Sequence, residues 1–86
     1  MKQCKDLEFK IHPMGTGIIS RIQFDNGYGA SIVRGNRTYG GDKDLYELAV
    51  LDNEGRVTYD TPITNDVIGY LRPMDVTDVM EKIQQL

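Results

Sequence analysis

Residues able to do chemistry are few in this chain, and they are scattered. Its 86 residues include one histidine, His12, and one cysteine, Cys4. Nucleophilic triads and zinc centres need several converging groups, which one of each does not supply. His12 stands before Pro13 with no Asp or Cys at a recognised spacing, and reads as a strand-end histidine. Asp42 and Asp44 lie two apart in a glycine-rich stretch and could chelate a hard cation together with backbone carbonyls. The spaced acids and closing Glu of a calcium loop are missing, which favours plain solvated acids. Gly15-Thr16-Gly17 and Gly40-Gly41-Asp42-Lys43 lack the spacing of a phosphate loop ahead of a helix and are turns. The expectation is a protein without catalytic residues, metal or cofactor, and not an enzyme.

Binding chemistry is better represented. Five tyrosines and no tryptophan stand among these 86 residues, and Tyr and Arg are favoured interface anchors. The candidate protein-binding set is Tyr28, Arg34, Arg37, Tyr39, Asp42 and Asp44, most of it in the stretch Gly35–Asp44. That stretch is long for a connection between adjacent strands, and long loops often carry function. Asn26-Gly27-Tyr28-Gly29-Ala30-Ser31-Ile32-Val33 superficially resembles the octapeptide of RNA-recognition motifs. Asn26 replaces the basic residue there, however, and Ala30 the second aromatic. A small nucleic-acid-binding module using strand tyrosines and arginines is therefore the alternative reading.

The elements that must position these residues begin with Leu45–Leu51, the most apolar run. With the polar turn Asp52-Asn53-Glu54-Gly55 and Arg56–Tyr59 it predicts a central β-hairpin. Before it, Leu7–Ile11 alternates apolar with charged, which predicts a strand with Leu7, Phe9 and Ile11 inward. Ile18–Phe24 and Tyr28–Arg34 form a second hairpin about Asp25-Asn26-Gly27, where Asn and Gly tolerate positive φ. Thr64 or Asn65 can cap a short helical turn over 66–71. Pro73 suits the first position of a final helix with Asp75 in its first turn. In that helix Val76, Val79, Met80 and Ile83 form one apolar stripe. The expected fold is α+β: an antiparallel meander of four to five strands, covered by the C-terminal helix with the short helical turn before it.

Eighty-six residues make one domain, 1–86, with 1–6 expected to be a loose end. Hydrophobic residues at 40% and charged ones at 27% are ordinary for a globular chain and disfavour disorder. No apolar run approaches the ~20 residues of a membrane span. No apolar core follows the basic N-terminus, and the lone Cys4 cannot form an internal disulfide. The expected place is the cytoplasm, with no membrane partner. A net charge of −3 argues against general affinity for nucleic acid. Residues 1–41 carry six basic and three acidic side chains, and 42–86 carry four and ten, a hint of an acidic patch. An exposed edge strand would also permit a homodimer.

The blocks DNGYGASIVRG, TYGG and LYELAVLDNEGRVTYDTPITNDVIGYL, with the closing amphipathic helix, resemble a family of short, largely uncharacterised proteins of tailed bacteriophages and prophages. The likeness runs from about Phe9 to Leu86. It departs at Arg72, where members of the family often place a Thr that would cap the last helix. The resemblance implies a small phage-encoded accessory protein in the cytoplasm of a bacterial host, and carries over no catalytic residue. Such proteins commonly act by stoichiometric binding to a host protein, including defence systems such as CRISPR nucleases. The expected partner is accordingly a host protein.

Overall fold

In the computed structural model, residues 1–13, 17–35 and 38–86 are described, Asp42 by its backbone alone. Five strands run β1 (Lys10–Ile11), β2 (Ile18–Gln23), β3 (Gly29–Arg34), β4 (Tyr46–Leu51) and β5 (Ile68–Leu71). They pair antiparallel in sequence order as a meander, and helix α1 (Pro73–Gln84) follows. The α+β class is as the sequence predicts. No helix among the described residues is long and apolar enough to cross a membrane.

Alternation along the central strands decides where the core lies. Ala30 and Ile32 of β3 and Leu48 of β4 are fully buried, and Val50 is nearly so. Against them α1 sets Val76, Met80 and Ile83, all fully buried, with Val79 alongside. Burying each such side chain is worth roughly 1.5–3 kcal/mol, so this seam holds most of the fold's stability. The Asp25–Gly27 turn is fastened to the same helix, because Asn26 Nδ2 donates to the carbonyl of Ile83 at 2.8 Å. That carbonyl, in the last turn of the helix, also accepts from Leu86 N at 3.1 Å.

Four expectations need correction. The N-terminal residues are not loose. Cys4–Asp6 forms a 3-10 turn, Cys4 N donates to Thr77 Oγ1 at 2.9 Å, and Lys2 exchanges two bonds with the Gln84 amide. Helical periodicity puts Thr77 opposite the apolar stripe and does not show which polar groups there find a partner. The first strand is two residues long, and Ile11 is 80% exposed instead of inward, although Leu7 and Phe9 do pack on the core. The return arm Arg56–Tyr59 makes a single bridge, Leu51 to Val57, with Thr58 N donating to the Val50 carbonyl. Finally, where a helical turn is expected over 66–71 the chain forms strand β5, which pairs with β4 on the side away from β3. Thr64 Oγ1 does accept from Asp66 N, but the contact closes a local turn. Gly69 disfavours a helix there, while Leu71 is buried at the sheet.

The start of α1 explains how Arg72 replaces a conventional cap. A guanidinium has donors only and cannot accept from the first-turn amides. Asp75 reaches back instead, accepting from Arg72 N at 3.0 Å and from Arg72 Nε at 2.9 Å. The Arg72 guanidinium bond and then its backbone amide hold the Asp75 carboxyl below its ordinary range. Asp52 is lowered similarly, by amide bonds from Arg56 and Glu54 in its turn. Both carboxyls are depressed in the folded chain. They therefore add stability above the unfolded carboxylate pKa of ~4, and lose it as pH falls through the folded values. Urea midpoints should drop between pH 5 and pH 2, and Asp75→Asn should lower the midpoint at pH 7 while flattening that drop. An unchanged acid slope in the variant would remove Asp75 from the account.

Candidate protein-interaction site

Gly35 and the residues from Thr38 to Leu45 are joined by a network of hydrogen bonds. Thr38 closes its base, its hydroxyl accepting from Gly35 N at 3.0 Å and donating to Gly35 O at 2.9 Å. Gly41 N donates to the Thr38 carbonyl, and Lys43 N and Leu45 N both donate to that of Gly40. A 3-10 turn over Gly41–Lys43 results, flanked by two left-handed residues, Gly40 at φ 90° and Asp44 at φ 60°. Left-handed Asp is uncommon, and such residues gather where surrounding structure over-determines the backbone.

This loop is docked on β5. Opposite Glu47 the fifth strand carries an extra residue, so that Tyr46 pairs with Leu71 and Leu48 with Ile68. Tyr70 sits in the resulting bulge at φ 58°, another left-handed non-glycine residue. Its amide donates to the Tyr39 carbonyl at 3.2 Å, while Tyr39 N donates to Glu47 Oε2 at 3.4 Å. The two glycines make the contact reciprocal. A Cβ on Gly40 would stand 3.1 Å from the Tyr70 ring, and one on Gly69 would run into the Tyr39 side chain. Each tyrosine thus lies across the other's glycine. Both remain displayed, Tyr39 at 61% and Tyr70 at 58% exposure. Two large amphipathic side chains on rigid, cross-braced backbone are what an interface anchor requires.

The six candidate residues separate. Tyr39 and Asp44 belong to this site, and the backbone of Asp42 lies in its 3-10 turn. Arg37 and the Asp42 side chain fall outside the described residues. Tyr28 is half-buried against the core beside the Asp25–Gly27 turn. Arg34 caps another aromatic group, its guanidinium 5.1 Å above the Tyr46 ring with Nη1 donating to Tyr46 Oη at 3.3 Å. Tyr46 in turn meets Phe9 at 5.5 Å between ring centres. The tyrosines of the nucleic-acid reading therefore line no common strip, since Tyr28 and Tyr46 serve packing. Sequence reasoning missed Tyr70, hidden by the helical expectation for 66–71. The one available signal was a large aromatic beside a glycine, Gly69-Tyr70, in a chain already rich in tyrosine.

Among the described residues no three His, Cys, Asp or Glu side chains stand close enough to hold a metal ion. Burial pushes the Cys4 thiol up, away from the reactive thiolate. Comparison with models of protein families, with curated proteins and with solved structures found no match.

Proposed function

We propose that this chain is a binding protein that acts by stoichiometric association with a protein partner, anchored by Tyr39 and Tyr70. The observation behind the reading is their reciprocal seating on Gly69 and Gly40, which spends two left-handed residues and a bulge to display two phenols. Strain of that kind is expected where a site is held in shape. The resemblance to phage proteins supplies the setting. In that setting the chain is an accessory protein of a bacteriophage, its partner is a protein of the bacterial host, and a defence component such as a CRISPR nuclease fits the class.

The test is a tagged pull-down from bacterial lysate, with and without nuclease treatment, using the parent chain and the variants Tyr39→Ala and Tyr70→Ala. A partner recovered equally in both lysates, and lost with either variant, supports the reading. Truncating an aromatic anchor costs about 2 kcal/mol or more, so affinity should fall about 30-fold. Thermal stability should change little, because exposed side chains contribute within about 0.5 kcal/mol. Recovery that vanishes after nuclease, or that ignores both substitutions, would sink it.

A further inference from the structure

We infer that the outer edge of β2 captures an extended peptide of a partner protein by strand addition, at a surface separate from the tyrosine pair. The backbone of β2 alternates between its two neighbours. Phe24 N donates to the Tyr28 carbonyl on the β3 side, and His12 N donates to the Gly17 carbonyl on the β1 side. By this alternation Gly17, Ile19, Arg21 and Gln23 aim their amide and carbonyl groups outward. β1 meets the first part of that row only, pairing Lys10 with Ile19 and Ile11 with Ile18. A continued ladder would place Glu8 opposite Arg21, but the chain at Leu7–Phe9 has left the sheet to pack on the core. Among the described residues, the outward N–H and C=O of Arg21 and Gln23 have no protein partner. Such a row is a template for another strand.

A cleft lies where the ladder stops. It measures about 410 Å³ and is lined by Asp6, Leu7, Glu8 and Lys10 on one wall and by Ile19–Ile22 on the other. Strand alternation sorts its two sides. Ser20 and Ile22 share the helix side with Leu7, while Arg21 and Lys10 share the open side of the sheet. Asp6 is engaged, its carboxylate accepting from Gln3 N at 2.9 Å. Glu8 offsets one of the two cations, and the ion pairs among the described residues, Arg56–Glu54 and Arg72–Asp75, lie elsewhere. The chemistry that fits is a short extended segment with an apolar side chain toward Leu7 and Ile22, followed by a carboxylate beside Arg21 and Lys10. A second copy of this chain fits less well, because two-fold pairing of β2 with β2 would bring both Leu7–Phe9 segments to the same place.

The test is selection of peptides from a displayed random decapeptide library on the immobilised protein, with amide shifts mapped by NMR. Alternating apolar and acidic sequences should be enriched and should shift Ile19–Gln23. Arg21→Pro removes an outward donor that no internal bond uses, as edge strands tolerate, and should weaken binding about tenfold. Arg21→Glu keeps the backbone donor and should turn the preference toward basic peptides, which covers a failure of the proline variant to fold. Tyr39→Ala should leave the selected peptides' affinity unchanged, which separates this surface from the proposed interaction site. Failure to enrich any peptide, shifts that map to the tyrosines, equal binding by Arg21→Glu, or a parent dimer that blocks the edge would each overturn the inference.

Discussion

Removal of Pro73–Leu86 abolishes the cooperative unfolding transition and leaves a chain without a fixed near-UV spectrum. The expectation follows from where the core lies. Val76, Met80 and Ile83 are fully buried, and their loss uncovers Ala30, Ile32, Leu48 and Val50 in one step. A domain of this length holds roughly 4–13 kcal/mol in total. Three buried side chains at roughly 1.5–3 kcal/mol each account for much of that before the sheet's newly wetted face is counted. The same deletion removes Thr77 and Gln84, which fasten Cys4 and Lys2, and the Ile83 carbonyl that Asn26 caps. The milder variant Met80→Ala should melt cooperatively but lose about 2–5 kcal/mol by urea denaturation. A truncated chain that kept a sharp melt would show that the sheet stands without its helix, and the account of the core would fail.

Gly40→Ala is the second large effect, and Gly55→Ala is its control. Both glycines have positive φ, 90° and 78°, and an alanine in the left-handed region costs about 1–2 kcal/mol at either. Their surroundings differ. A Cβ on Gly55 meets nothing within 4 Å, whereas one on Gly40 stands 2.9 Å from Tyr70 Cα and 3.0 Å from Leu45 Cβ. The backbone of β5 cannot yield there without disturbing the bulge, so overpacking adds about 1–3 kcal/mol. Urea midpoints should therefore fall clearly further for Gly40→Ala than for Gly55→Ala. Partner capture should fall with the former alone, because its Cβ levers Tyr70 from its seat. Equal losses for the two variants would mean that the loop does not rest on β5 as described.

Much of this architecture is legible from residue types. The Asp25-Asn26-Gly27 turn, the alternation of Ile18–Phe24 and the stripe of α1 each follow from a local rule, and each is present. What local rules miss is competition between partners. Arg56–Tyr59 and Ile68–Leu71 both have residues able to pair with β4, and nothing within either segment says which wins. The winner also brings Tyr70 under the Gly35–Asp44 loop, so the error over 66–71 hid half of the site. Tyr39 and Asp44 could be singled out because their loop is long and glycine-rich. Alternation along its strand places Tyr28 on the core face with Ala30 and Ile32, where it does rest, whereas only the fold shows that Arg34 stacks on Tyr46 instead of standing free. That contact is tertiary.

The bulge, Leu71 and Arg72 stand in direct succession. The displayed Tyr70 is therefore separated by one buried residue from the amide that Asp75 clamps at the head of α1. Leu71 alone stands between the displayed phenol and the hydrophobic seam behind it. Under the proposed reading, recognition would begin from a shape already set, with little ordering entropy to overcome, and selectivity would fall to the contour of the two phenols.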